Sequence, residues 1–195
     1  MLRQPNAWTP CLHAAVWLAL ASLFAALSCQ AAERDVYKAD GVVFSISVRT
    51  PEQIRAFYTA RGFPEAAIRE LESKCLLTVG VQNGRNDIVW LEPSKWRFFA
   101  EHGKPVTRIS RETWEARWAK LNIPLASRAT FGWTQLPETR DLLPGETAGG
   151  NIVITPPAGS FGVEARFDTG RDRAGPPLTF KVNNLKCVEQ SRDKE

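Results

Sequence analysis

One pentapeptide has the composition of a hydrolase nucleophile turn. In Ala158-Gly-Ser-Phe-Gly162 a serine stands at the centre of a G-x-S-x-G-like segment, with Ala where the first Gly is usual. A serine elbow of this kind needs a helix after it and a histidine further along the chain. Here the following residues alternate like a strand, and His102 lies upstream. The segment therefore predicts a hairpin turn, and we expect no catalytic serine.

Metal, haem and thiol-exchange chemistry lack the residues they need in this sequence. Beyond residue 28 the chain has one histidine, His102, and no methionine, so the thioether and imidazole ligands of exported copper carriers are missing. Cys75 and Cys187 have no C-x-x-C spacing, and no C-x-x-C-H haem motif occurs. We expect no metal, no other cofactor and a non-catalytic protein.

The first 28 residues have the layout of an export signal. Arg3 precedes fourteen uncharged residues at 14–27, and small residues follow. A run of fourteen is short of the ~20 apolar residues that a membrane-spanning helix needs. We therefore predict a cleaved signal peptide and a location in the periplasm or at the outer membrane of a bacterium.

The cleavage site leaves two alternatives. Residues 26–29, Ala-Leu-Ser-Cys, resemble a bacterial lipobox, in which the cysteine becomes lipidated, although Ala26 stands where Leu is usual. By the rule for that family, Gln30 after the cysteine implies retention at the outer membrane. A cut after Ala31 would instead remove Cys29 and release the protein. We place a lipid anchor at Cys29, and hence a membrane attachment.

Two cysteines remain in the body of the chain. Cys75 and Cys187 are far apart in sequence, and in an oxidising compartment such a pair most simply forms a disulfide. Closing a loop of this length contributes about 4 to 5 kcal/mol in the chain-entropy model. We predict that this disulfide ties an early strand to the last one.

Alternating apolar residues predict a mainly β domain. In residues 42–49 every second side chain is apolar, which is the pattern of a half-buried strand. An Asn83-Gly dipeptide predicts a hairpin between two further strands. Because no helix long enough for a crossover separates the later strands, the sheet should be antiparallel. The further strands are predicted at 75–82, 87–91, 130–134, 151–155, 161–168 and 178–182.

Short helices are predicted where capping residues precede an apolar stripe. Thr50-Pro-Glu-Gln53 has the residues of a capping box, with Pro at the first helical position. A second helix should start at Pro64. Ser110 should cap a third, in which Trp114 and Trp118 share one face.

The chain divides into four predicted parts and carries little net charge. We assign a signal peptide to 1–28, a linker to 29–40, a single β-rich domain to 41–188 and a polar tail to 189–195. No internal repeat stands out. The formal net charge is +4, which is too even a balance of acids and bases for a nucleic-acid partner.

Part of the last third is similar to a known domain class. A Leu143-Pro-Gly turn introduces a segment that ends in Pro156-Pro, and Phe161-Gly-Val-Glu-Ala-Arg-Phe167 follows. This pair resembles a strand pair of bacterial extracytoplasmic immunoglobulin-like domains. The resemblance implies an antiparallel immunoglobulin-like sandwich, to which the predicted helices would be two or three peripheral additions. It implies no particular function.

The remaining signal is aromatic. The five tryptophans beyond residue 28 all lie between positions 90 and 133. They suit either a groove for a sugar or peptide or a core in which Trp114 and Trp118 pin a helix to a sheet that includes Trp90 and Trp133. Trp96 follows Glu-Pro-Ser-Lys, so we expect it to be exposed and to contribute to binding.

These observations favour a non-catalytic binding or assembly module of the envelope, with an unknown envelope protein or polymer as partner. The alternative is a small envelope hydrolase that acts on a cell-wall or surface polymer with a pair of carboxylates. Glu92, Glu138 and Asp141 are candidates for that pair, but spacing does not bring them together.

The lipid anchor gives a first testable prediction. If Cys29 is lipidated, full-length protein made in a bacterium should partition into detergent with the membrane fraction, and Cys29→Ser should release it or leave it unprocessed. A mature N-terminus beyond Cys29, without acyl mass in intact-mass spectra, would contradict the anchor while leaving the export prediction standing.

Overall fold

The structure is a computed structural model that describes residues 35–188. The predicted signal peptide, Cys29 and the polar tail lie outside the described residues. Within them, the chain forms eleven strands and four α-helices. The strands are β1 (Asp35–Ala39), β2 (Val42–Val48), β3 (Cys75–Asn83), β4 (Val89–Leu91), β5 (Arg97–Ala100), β6 (Pro105–Val106), β7 (Arg108–Ile109), β8 (Arg140–Leu142), β9 (Thr147–Ile154), β10 (Ser160–Thr169) and β11 (Gly175–Lys186). The helices are α1 (Pro51–Thr59), α2 (Glu65–Glu72), α3 (Arg111–Lys120) and α4 (Leu125–Thr134).

The strands form two antiparallel sheets. The first sheet has the order β1-β2-β3-β9-β7. The second has the order β6-β5-β10-β4-β8, with β11 on the other side of β10. The predicted fold class, a mainly antiparallel β sandwich with a few short helices, is confirmed. The described residues contain four such helices rather than the two or three expected.

One hydrophobic core lies between the two sheets. Alternate residues of β2 and β3 face alternate residues of β10 and β11 across it. Phe44 of β2, for example, stacks on Phe180 of β11 with the ring centres 5.3 Å apart. Val163, Ala165 and Phe167, which the sequence pattern placed on one face of a strand, are all fully buried here.

A second core covers the outer face of the first sheet. Leu76 of β3 and Val153 of β9 point away from the sandwich and contact the four helices. The helical side chains of this core include Ile54, Tyr58, Leu71, Trp114, Trp118 and Phe131. The domain therefore has three layers, in the order helices, first sheet, second sheet.

The four helices form two hairpins that repeat each other at a spacing of sixty residues. Thr50 and Ser110 each cap the first helix of their hairpin through a side-chain oxygen 3.2 Å from a backbone N–H. Pro64 and Pro124 each precede the second helix. The expectation of no internal repeat is therefore wrong. Few residues are identical between the two hairpins. What repeats is the position of the capping residues and of the buried side chains.

The turn within each hairpin also repeats. Gly62 and Asn122 both adopt positive φ, of 71° and 51°. After them, the backbone N–H of Phe63 and that of Ile123 bond back to the fifth residue before, at 3.1 and 2.9 Å. Both of these side chains are buried in the second core. This is the hydrogen bond and hydrophobic contact of a Schellman-type helix end.

The Asn83-Gly dipeptide does not make a hairpin. The chain passes from β3 in the first sheet to β4 in the second, and the two strands do not pair. Asn83 is fully buried, and its side-chain amide donates to the backbone oxygens of Asp87 and Leu142 at 2.7 and 2.8 Å. Because the side chain fixes a crossing between sheets, a local turn signal was misleading here.

Two other local predictions are wrong for related reasons. Residues 130–134, predicted as a strand from their Thr, Phe and Trp content, are the last residues of α4. Tertiary packing of Phe131 in the second core overrides their β propensity. The pentapeptide at 158–162 joins β9 to β10 across the two sheets instead of closing a hairpin.

The N-terminal boundary of the domain lies earlier than predicted. Residues 35–39, assigned to a linker, form β1 and pair with β2 along its length. No helix among the described residues has both the length and the apolar character to cross a membrane.

The predicted disulfide is present. Cys75 at the start of β3 is bonded to Cys187, directly after β11. Its two cysteines are 112 positions apart; Cys75 lies in the first sheet, and Cys187 directly follows a strand of the second. The bond therefore closes one end of the sandwich by joining its two layers.

The disulfide gives a second prediction. Cys187→Ser should lower the free energy of unfolding by about 2 to 5 kcal/mol, because the denatured chain regains the entropy of a long open loop. Chemical denaturation of the oxidised protein and of the variant measures this. The matched double variant Cys75→Ser/Cys187→Ser should be no less stable than the single one, and full stability of Cys187→Ser would refute the prediction.

Candidate functional site

The structure places Trp96 in the core between the sheets. Its side chain is only 6% exposed, and its indole N–H donates to the backbone oxygen of Arg166 at 3.1 Å. Phe44 and Phe167 contact the ring edge to face, at 5.6 and 5.4 Å. The expectation that Trp96 is exposed is therefore wrong, because a short 3₁₀ turn at Pro93–Lys95 directs the next side chain inward.

Three further tryptophans are structural. Trp90 is half-buried on β4 and donates to the backbone oxygen of Gly170 at 2.9 Å, with Arg173 over its ring. Trp114 and Trp118 are buried in the second core and stack with their centres 4.6 Å apart. Neither of these two indole N–H groups has a hydrogen-bond partner within the described part of the chain.

Trp133 differs from all of these because it is 85% exposed. It lies at the end of α4, two residues after the buried Phe131, and therefore on the opposite side of the helix. The expectation that Trp133 belongs to the sheet core is wrong. Sequence reasoning missed it because residues 130–134 were assigned to a strand. The helical repeat would have revealed it, since Phe131 corresponds to the buried Leu71.

Two cavities flank Trp133. The larger, called here the helical groove, lies between α3 and α4 and has a volume of about 820 Å³. Trp114 and Trp118 contribute to its lining, and exposed Leu125 lies beside them. Charges of both signs line it as well, including an ion pair between Arg128 and Glu115.

The second cavity, called here the sheet cleft, has a volume of about 420 Å³. It opens where the helical layer ends on the outer face of the first sheet. Its walls are α1 and the end of α4, and its floor is formed by β3 and β9. The residues that line it are Arg49, Gln53, Ile54, Phe57, Tyr58, Leu76, Thr78, Trp133, Thr134, Gly149, Gly150 and Asn151.

A chain of hydrogen bonds organises the polar side of the sheet cleft. The Nε–H of Arg49 donates to the hydroxyl of Thr78 at 2.8 Å, and that hydroxyl donates to the Oδ1 of Asn151 at 2.9 Å. Tyr58 and Thr134 bond through their hydroxyls at 3.2 Å. Burial raises the pKa of Tyr58, so its phenol stays protonated at neutral pH.

Two glycines of β9 line the sheet cleft, and they have different structural roles. A Cβ on Gly150 would lie 2.4 Å from the backbone nitrogen of Leu136, so this glycine allows the segment after α4 to approach β9. Gly149 is different, since its Cβ would make only an ordinary 3.4 Å contact with a carbonyl oxygen. The fold therefore does not require a glycine at 149. A strand glycine without a packing reason marks a place where another molecule can approach the backbone.

Two of the three carboxylates proposed for a hydrolase, Glu92 and Glu138, are engaged in ion pairs. Hydrogen bonds from Lys95 and Arg173 hold the pKa of Glu92 below its usual value. For Glu138, desolvation would raise the pKa, but hydrogen bonds from Arg108 and from a backbone N–H outweigh it and lower the pKa. Asp141 lies on β8 opposite Trp90.

The serine of the elbow-like segment has a structural environment unlike that of a catalytic nucleophile. The hydroxyl of Ser160 donates to a carboxylate oxygen of Glu101 at 3.3 Å, and the residue starts β10 instead of a helix. His102 is an exposed residue of a turn with φ of 56°. Among residues 35–188 no group of three or more His, Cys, Asp or Glu side chains is arranged to hold a metal ion.

Comparisons with known proteins give one structural similarity. No family model matches the sequence, and no curated protein does. Among solved structures, the candidate lipoprotein YcdA of Bacillus subtilis aligns with 78% of this chain at 11% identity and a TM-score of 0.43. The chain spans about two fifths of the length of that protein, since 39% of it is covered. A similarity at this level carries no information about function.

Proposed function

We propose that this protein is a non-catalytic binding module of the bacterial envelope, exported and held there by a lipid on Cys29. Its recognition surface is the exposed face of the α3–α4 hairpin, with Trp133 at its centre. The partner is another envelope component, either a protein or a polymer. One observation carries the proposal: this hairpin exposes three apolar side chains at positions where its internal counterpart, the α1–α2 hairpin, has polar ones, although that hairpin exposes Phe57 elsewhere.

The comparison between the hairpins is made position by position. Leu125, 74% exposed, corresponds to exposed Glu65, and Trp133 corresponds to exposed Ser73. Leu121, 41% exposed, corresponds to Arg61 in the same way. Both hairpins share the cap of the first helix, the turn and five buried positions (54/114, 58/118, 63/123, 67/127 and 71/131), so these three apolar side chains are not needed to build such a hairpin. Exposed apolar residues grouped on one element mark an interaction site.

The surface is also rigid enough for recognition. Beneath Trp133 the α3–α4 hairpin packs through Trp114, Trp118 and Phe131, whose rings contact one another. After Trp133, Gln135 forms a bridge with Asn151 of β9. The backbone that carries the exposed indole is therefore anchored on both sides. A large aromatic side chain that loses little conformational entropy is a typical energetic centre of an interface.

The hydrolase alternative receives less support. A general acid at neutral pH needs a carboxyl group whose pKa is raised. The pKa values of Glu92 and Glu138 are instead lowered by their cationic neighbours. These groups are suited to ion pairs that hold segments of the chain together.

The proposal predicts that different residues determine the stability of the fold and the recognition of the partner. Trp133→Ser and Leu125→Glu install the residues of the α1–α2 hairpin, so both should leave the melting temperature within a few degrees of wild type. Both should reduce photo-crosslinking to envelope components in living cells from a crosslinking amino acid at Ala129 of α4. Trp118→Ala should instead destabilise the fold by about 3 to 5 kcal/mol, because it opens a cavity in the second core.

The chain supplies a matched control for this experiment. Arg69 of α2 corresponds to Ala129, so a crosslinker at Arg69 tests the same position of a hairpin without the apolar surface. It should give weaker crosslinking that the two surface variants do not change. Undiminished crosslinking from Ala129 in the Trp133→Ser/Leu125→Glu double variant would contradict the proposed function.

A further inference from the structure

We infer that the sheet cleft binds a pyranose ring of an oligosaccharide, with the ring face on Trp133 and its hydroxyl groups on the polar floor. This inference rests on the proposed function through Trp133, and it adds a site and a ligand class to that function. The cleft volume of about 420 Å³ lies within the range of roughly 300 to 1,000 Å³ that is usual for small-ligand sites.

The chemistry of the cleft is divided between an apolar side and a polar side. Trp133 and Phe57 supply exposed aromatic surface. Gln53, Asn151 and Arg49 supply amide and guanidinium groups. A pyranose ring has the same division, because C–H bonds cover its faces while hydroxyl groups surround its rim.

Other ligand types fit this division less well. A wholly apolar ligand would remove water from Gln53 and Asn151 without replacing their hydrogen bonds, which costs free energy for each buried polar group. A small inorganic anion would gain nothing from Trp133 and Phe57. No carboxylate lies among the residues that line the cleft, so a cation has no charged partner there.

The polar groups are oriented before a ligand arrives. The Oε1 of Gln53 accepts the backbone N–H of Thr50 in the helix cap, which fixes the carboxamide and leaves its NH₂ as the donor group. The hydrogen bonds from Arg49 to Thr78 and from Thr78 to Asn151 fix those side chains against the sheet. Preorganised donors of this kind reduce the entropy lost on binding.

The floor of the cleft admits a flat ring. Gly149 lines the cleft and is exposed, so no side chain of its own covers the backbone of β9 there. Its partner on β3, Gly80, does not line the cleft and lies under the hydroxyl of Ser45. A ring can therefore lie against the backbone beside Trp133.

Isothermal titration calorimetry with three soluble probes tests the inference. Chitohexaose represents N-acetylated cell-wall glycans, cellohexaose represents β-linked glucans, and maltohexaose represents α-linked glucans. The wild-type protein should bind at least one of them, and the preferred probe identifies the linkage and the source. Absence of binding to all three up to the millimolar range would overturn the inference.

Gly149→Val is the decisive variant, because it fills the floor without disturbing the core. We expect it to fold normally and to weaken saccharide binding by about tenfold or more, as should Trp133→Ala. Thr147→Val is the matched control, since it changes the same face of β9 one pleat away and outside the lining of the cleft. It should bind like wild type. Undiminished binding by folded Gly149→Val would exclude this cleft as the site.

Leu125→Glu separates this inference from the proposed function. Leu125 lines the helical groove and not the sheet cleft, so this variant should retain saccharide binding. Loss of crosslinking in Leu125→Glu, together with no saccharide binding by wild type, would leave the proposed function standing and refute the saccharide site. The opposite result is saccharide binding that Gly149→Val weakens, together with crosslinking that Leu125→Glu leaves unchanged. It would support the saccharide site and refute the proposed function.

Discussion

The pairing of β3 with β9 is the constraint on which the rest of this structure depends. Their inward positions are apolar along the whole length and form the sandwich core. Their outward pairs change along the strands, from Leu76 with Val153 through Thr78 with Asn151 to Gly80 with Gly149. Helices can bury only the apolar end of this face without leaving polar groups unpaired. The helical layer therefore stops at the polar pair, and the sheet cleft opens there.

Features with a local cause could be predicted from the sequence, and those with a tertiary cause could not, with the disulfide as the exception. The capping box at Thr50 acts within one helical turn and was found, as was the alternation of β10. Asn83 gives the same local signal as a hairpin turn, yet its amide bonds to Leu142, 59 positions away. The disulfide was predictable because compartment and cysteine number left one simple pairing.

The candidate site was missed because exposure depends on the phase of a helix. Trp96 follows Glu-Pro-Ser-Lys and is buried, whereas Trp133 follows Thr-Phe-Gly and is exposed. The polarity of the preceding residues therefore predicts the wrong one of these two tryptophans to be exposed. The spacing of sixty residues between the helical hairpins contains the missing information, because it pairs Trp133 with Ser73 at a position that the first hairpin exposes. Matching caps and turns would have revealed the repeat where residue identity did not.

The repeat also explains how one domain can carry the proposed recognition surface without losing stability. The α1–α2 hairpin covers its part of the sheet and presents ion pairs to solvent, such as that of Arg55 with Glu65. The α3–α4 hairpin keeps the same buried scaffold, so its outer residues contribute little to folding and are free to change. Its last turn ends at the polar pair of the first sheet, Thr78 with Asn151. An aromatic residue there lies beside exposed backbone and amide groups. An apolar platform and a polar floor thus meet at Trp133 as a consequence of where the helical layer ends.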